Sequence, residues 1–320
     1  MKNILIYIAV ILILLMLFLP LIAISPQSVA KGNEENFKTE EISATEAEKF
    51  KVFLSQTEEI SEIKAEDYIF GVVAAEMPLS YSEEALKAQA VAAYTYALRR
   101  SKENADKPYD ITDSPDTDQH YISMEKAKEK WGEKAGEYEE KLRKAVNEVK
   151  GEFIAFSDEP ILALYHSSSG GKTENIKDVF GTELPYLVSV DSLGDIMDKE
   201  YESKADFSVE EFEKLMGEHT DLSGPLNTWV GGTKHRENGY VESINIGGKA
   251  FSGVEIRKIF SLRSANFELS FDEGFIFTVH GYGHGVGLSQ TGAEYMAKQG
   301  GTYKEILLWY YKGTEILRKN

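Results

Sequence analysis

The run GYGHGVGLSQ, residues 281–290, is the tightest constraint that this sequence places on its own fold. Four glycines stand at alternate positions around one histidine, and glycine loses more backbone freedom on folding than any other residue. A cluster that dense needs a geometric cause, either an unusual turn or the close approach of another group to the backbone. The preceding FIFTVHG reads as a strand and the residues from Ser289 to about Gln299 as a closing helix. The run is therefore a strand-to-helix turn that presents Tyr282 and His284. Polar side chains on a glycine scaffold favour a ligand surface over a purely structural turn.

Familiar templates do not fit this run. A dinucleotide fingerprint would need glycine where Val286 stands, and the phosphate-loop pattern in SSGGKT would need it at His166. No H-E-x-x-H or G-x-S-x-G pattern occurs. His280 and His284 are four apart, but a glycine run does not place them on one helix face, which argues against a shared metal. The absence of cysteine excludes disulfides, thiolate metal sites and a cysteine nucleophile. A net charge of −18 repels polyanions and disfavours nucleic acid as a ligand.

Residues 4–24 carry no charge and reach the roughly 20 residues needed to span a bilayer as a helix. With Lys2 before it, the span predicts export of everything that follows. The competing reading is a cleaved signal peptide ending near Ser28-Val29-Ala30; its apolar run would be longer than usual. Both readings put the bulk of the chain outside the cytoplasm. Residues 25–48 are polar and acid-rich, as suits a flexible tether, and 49–320 form the folded domain.

Within that domain, 51–63 contains stretches suited to a strand, and 65–76 has the apolar spacing of a helix that Pro78 should end. A second helix over 83–100 is expected to be capped by Ser82, with acids in its first turn and arginines in its last. Residues 101–122 read as a loop and 123–150 as solvated helix. EFIAF, ILALYHS and YLVSV read as strands; 191–240 reads as an insertion or small subdomain, and VESINIGG follows it. Blocks of helix and strand without strict alternation predict an α+β fold, a mixed sheet with packed helices forming a groove.

Two further features bear on chemistry. LYHSSSGGKTEN, residues 164–175, ends a strand in hydroxyls, an imidazole and two glycines, groups that both donate and accept and so suit a sugar. Glu76 lies at the C-terminal end of an alanine-rich apolar helix, where desolvation and the helix dipole both disfavour its charged form. A raised pKa is what a general acid requires, although a glutamate at a helix end is in most proteins simply solvated.

GVVAAEMPLSYSEEALKAQAVAAYTYAL, YHSSSGGKTEN, LPYLVSV, FSLRSANFEL and the block from Gly281 through GTEI occur in collinear order over residues 60–320. Together they resemble the stage II sporulation protein D family of membrane-anchored lytic transglycosylases. The resemblance implies that Glu76 is the catalytic acid and base. It implies cleavage of the β-1,4 bond between N-acetylmuramic acid and N-acetylglucosamine in stem-free peptidoglycan, leaving 1,6-anhydro ends. It places His166, Ser167, Ser169 and Thr173 on one wall of a glycan groove and Tyr282, His284 and Gln290 on the other, and suggests that a saccharide lies against the glycine turn. No cofactor is implied; the partners implied are glycan strands, a membrane-anchored amidase and other engulfment proteins. Tyr94 stands where the family usually has arginine, and the cysteines that some relatives carry near DQHY are absent, which argues against a zinc site built that way. A non-catalytic wall-binding scaffold and an ordinary muramidase are the rival readings.

Overall fold

The computed structural model describes residues 49–319; the apolar run 4–24 and the acidic segment 25–48 lie outside the described residues. β1 (Lys49–Leu54) and β2 (Glu59–Lys64) form an antiparallel hairpin in which Phe50 and Val52 are buried while Lys49 and Lys51 are exposed, the period-two pattern of a half-buried strand. The strand expected over 51–63 is thus two strands and a turn. α1 (Ala65–Glu76) follows directly and buries every residue from Tyr68 to Ala74. It stops because Met77, the residue before proline, takes an extended conformation.

α2 (Glu83–Glu103) is the central helix of the domain, with an unbroken buried stretch from Ala88 to Ala97. Its many alanines let neighbours approach on all sides, so an amphipathic stripe is not needed. Ser82 occupies the N-cap position without a capping side-chain bond; its backbone amide instead donates to the Glu294 carboxylate at 2.6 Å. The expected side-chain cap is therefore not made, and a distant helix satisfies only the N-cap amide. β3 (Ile111–Thr112) adds a short parallel edge to β1, and α3 (Met124–Trp131) and α4 (Ala135–Glu148) cover α1 and α2.

β4 (Glu152–Phe156), β5 (Glu159–Pro160) and β6 (Tyr165–His166) come next, then the short α5 (Ile176–Phe180). β7 (Glu202–Phe207), α6 (Val209–Gly217), β8 (Val230–His235), β9 (Val241–Ile246), β10 (Lys249–Phe251), α7 (Gly253–Ile259), β11 (Phe267–Phe271) and β12 (Phe275–His280) form a second lobe. The chain then returns through the glycine turn to β13 (Leu288–Ser289), α8 (Gln290–Lys298), α9 (Tyr303–Tyr310) and β14 (Glu315–Arg318).

The α+β class holds, but the single mixed sheet does not. Among the described residues the strands make five small sheets, ordered β2-β1-β3, β14-β4-β5, β13-β6, β11-β12-β7 and β10-β9-β8. YLVSV forms no strand: side chains take over its backbone partners, the Asn175 carbonyl accepting from the Ser189 amide and the Thr173 hydroxyl from the Val190 amide, both at 2.9 Å. Of ILALYHS only Tyr165 and His166 pair, with β13 in parallel.

Two hydrophobic cores result. One gathers α1, α2, α4, β4 and the C-terminal helices; the other is built on Phe212, Trp229, Phe260, Phe275 and Phe277. The expected insertion at 191–240 is larger than its estimate, because β9 to β12 share its core instead of the first one.

Candidate active site

Glu76 emerges half-buried at the end of α1. Its Oε1 accepts the backbone amide of His120 at 3.0 Å, from the loop that precedes α3. The ammonium of Lys130 on α3 donates to the carbonyls of Ala74 and Ala75 at 3.2 and 3.3 Å, satisfying the exposed end of α1. Gln290, first residue of α8, hydrogen-bonds Glu76 and also donates to Gln89 Oε1 on α2 at 3.3 Å. Burial lifts the Glu76 carboxyl above the usual carboxylate range, and the His120 amide, the Lys130 charge and Gln290 oppose that lift without cancelling it. The result is a carboxyl that holds its proton more tightly than a solvated one and has donors ready for its anion.

A second layer lies behind it. The Tyr165 hydroxyl donates to Gln119 Oε1 at 2.9 Å, and Gln119 Nε2 reaches the Tyr68 hydroxyl at 3.2 Å and the Ala93 carbonyl at 3.1 Å. Burial, followed by the nearby charge of Glu76, drives the Tyr165 phenol well above its ordinary pKa, so it stays a neutral donor. The Tyr81 hydroxyl lies 3.5 Å from Oγ1 of Thr291, the residue after Gln290. His120, Lys130, Gln89, Gln119 and Tyr165 escape sequence reasoning because four separate segments carry them; only the polar DQHY in an otherwise plain loop hints at them.

The residues expected along the walls are placed unequally. Gln290 is buried against Glu76 and Gln89. Ser167 is half-buried, its carbonyl accepting the Thr291 amide at 3.0 Å. Ser169 and Thr173 are fully buried and committed to the protein itself: the Ser169 hydroxyl and amide both donate to Asp195, and the Thr173 hydroxyl accepts the Val190 amide. Neither offers a surface to a saccharide. His166 is buried, with Nδ1 on the Val286 carbonyl at 3.1 Å, and its ring centroid lies 5.7 Å from that of the half-buried His284. Burial depresses both imidazoles, to about 3 for His166 and about 4 for His284, so both are neutral near pH 7. Tyr282 is exposed. Tyr94 packs edge-on against Phe50 and lines a cavity of about 270 Å³ with Lys64 and Ala65, at the other end of α1 from Glu76.

The glycines of the turn have an intramolecular reason. A Cβ at Gly287 would stand 2.0 Å from the Leu164 carbonyl, and one at Gly281 would stand 2.7 Å from the Ser168 carbonyl, both at positive φ. The space beside Gly281, Gly283 and Gly287 is filled by residues 164–169, and that beside Gly285 by the Tyr240 ring, so packing within the protein by itself requires these glycines.

The profile described as "Stage II sporulation protein" matches residues 54–156. "Stage II sporulation protein D" of Bacillus subtilis (strain 168) is 35% identical over 301 residues, covering 92% of this chain and 84% of that protein. This chain belongs to the stage II sporulation protein D family. The protein of the same description from Bacillus amyloliquefaciens is 36% identical over 291 residues, 89% of this chain and 82% of that one. The "Amidase enhancer" of Bacillus subtilis (strain 168) is 28% identical over 299 residues but has only 40% of its length covered. The profile match spans Glu76, α2 and the Gln119 loop; the B. subtilis match is long enough to include material on both sides of the Glu76 cleft.

Proposed function

We propose that this family member is a lytic transglycosylase of stem-free peptidoglycan glycan, with Glu76 as acid and then base. The observation that carries the reading is the setting of Glu76: a carboxyl whose pKa burial raises, bonded to the His120 amide and to Gln290, with the Lys130 ammonium close by on the last carbonyls of α1. Protonated Glu76 gives its proton to the glycosidic oxygen as the bond from C1 to that oxygen breaks. The carboxylate so formed takes the proton of the sugar's own 6-hydroxyl, whose oxygen closes on C1, and Glu76 ends protonated as it began. One carboxyl suffices, whereas a hydrolase of the usual kind works with two. Among the described residues, the groups that act on the ionisation of Glu76 include no second carboxylate, and Asp118 in the adjoining loop is held by Arg100 at 2.6 Å and by the Thr112 amide at 2.9 Å.

Of the wall residues, Ser167, Tyr282 and His284 retain accessible surface for a glycan, and Gln290 serves through Glu76. The apolar run at 4–24 would tether the domain on the outer side of a membrane, facing the wall. An amidase that removes peptide stems is the natural partner, in keeping with the name of one relative, the amidase enhancer of Bacillus subtilis. Incubating stem-free glycan with the protein should release fragments with anhydro ends, one water lighter than reducing ends, and Glu76→Gln should abolish them while glycan binding persists. Products that survive that substitution would refute the assignment; reducing ends would indicate a muramidase, and binding without any product a scaffold.

A further inference from the structure

The block FSLRSANFEL and the helix before it bring two guanidinium groups to the glycine turn, and the mechanism above uses neither. Arg263 lies over the exposed ring of Tyr282, its guanidinium carbon 4.6 Å from the ring centroid. Its buried Nε has no hydrogen-bond partner, and its nearest carboxylate, Glu200, stands 3.6 Å away on a mostly exposed side chain. Arg257, half-buried on α7, gives Nε to the Leu262 carbonyl at 3.3 Å. The ionisable groups that act on it are the phenols of Tyr240 and Tyr282; among the described residues no carboxylate is among them. Arg257 in turn depresses the two neutral imidazoles, His166 and His284, beside it.

A guanidinium drawn out of water without full pairing is costly: among the described residues Arg257 forms no ion pair, and Arg263, stacked on Tyr282, has only the exposed Glu200 at 3.6 Å and a buried Nε without a partner. Planar guanidinium forks fit a carboxylate in bidentate fashion, and the face of a tyrosine suits a sugar ring. We infer that Arg257, Arg263 and Tyr282 form a subsite for a saccharide bearing a free carboxylate. The inference rests on the glycan reading and deepens it. In stem-free glycan the lactyl arm of each muramic residue ends in a carboxylate, whereas an attached peptide turns that carbon into an uncharged amide. The arginine pair thereby reads whether the stem has been removed. β6 links the two places: Tyr165 bonds the Gln119 layer behind Glu76, and the next residue, His166, meets His284 beside Arg257.

The test separates the two readings by measuring binding in the full-length chain carrying Glu76→Gln, so that cleavage plays no part. Calorimetric titration would compare a muramic-acid-containing tetrasaccharide with free lactyl carboxylates, its methylamide and an N-acetylglucosamine tetramer. The acid should bind about tenfold more tightly than the methylamide, as a charge-assisted bidentate contact implies. That preference should fall within about twofold in Arg257→Gln and in Arg263→Gln, and Arg257→Lys, which keeps the charge but not the fork, should lie between. Should the glutamine variants fail to fold, the comparison of ligands on the intact arginines still decides. Equal binding of acid and methylamide overturns the subsite and leaves the glycan reading standing. Tighter binding of a glycerol phosphate oligomer than of the acidic tetrasaccharide overturns it in favour of a phosphate site, and failure of every saccharide to bind overturns both readings.

Discussion

The Glu76 carboxyl illustrates how a single group ties stability to chemistry. Its folded pKa lies above its unfolded one, so the folded state holds the proton more tightly and loses stability as pH rises through the folded value. Glu76→Gln is isosteric and does not ionise. Its thermal midpoint should therefore match the wild type near pH 4 and exceed it at pH 7, a difference that circular dichroism melts would reveal. An equal pair of midpoints at both pH values would show a carboxyl that ionises freely. The pair formed by buried His166 and half-buried His284 has the opposite sign. With folded values of about 3 and 4 against an unfolded value near 6.5, the unfolded state takes up protons first. Stability should decline as pH falls from about 6.5 towards 4, and His284→Gln should flatten that decline in urea titrations run across the window.

At the level of elements, α1 delivers Glu76 and α3 tunes it. Lys130 closes the last carbonyls of α1 and holds the Glu76 pKa below what burial alone would give. Lys130→Met should cost about 1 kcal/mol of stability through the lost cap. It should also move the alkaline limb of the activity profile to higher pH, because the acid form then persists further; a limb that stays put or moves down would contradict this coupling. α9 shows that capping is legible where it is local. Thr302 and Glu305 form a full capping box, and Thr302→Ala should cost about 1 kcal/mol by chemical denaturation. Ser82 looked equally suitable, yet its hydroxyl makes no capping bond, and its backbone amide donates to Glu294, 212 positions away. Sequence spacing identifies a cap when both partners lie within one turn, and misses it when the partner folds in from elsewhere.

At the scale of the whole molecule, buried carboxylates tie together segments that are distant in sequence. Asp195 is buried and accepts from the Ser169 amide at 2.8 Å and from the hydroxyls of Ser169 and Ser289, joining the end of β6 to the start of α8. Arg236 reaches the buried Glu174 at 2.9 Å, and burial still pushes that carboxyl up to about 7. Asp195→Ala would leave three buried donors without their acceptor and should destabilise by about 3 kcal/mol or more, read as a lowered urea midpoint. The hydroxyls of YHSSSGGKTEN show what sequence could not assign. Their chemistry is plain from residue type, but Ser169 and Thr173 spend it on Asp195 and Val190 instead of a ligand. By itself the sequence determined α1 and α2, the strand-to-helix turn at 281–290 and the position of Glu76 at a helix end, because periodicity, proline and glycine act within a few residues. Only tertiary structure decided that the sheets among the described residues are five and small, that residues 164–169 and Tyr240 press against the glycine turn, and that Gln290 meets Glu76. Those outcomes depend on which distant segments compete for the same donors and the same space, and that competition is settled only when the chain is packed.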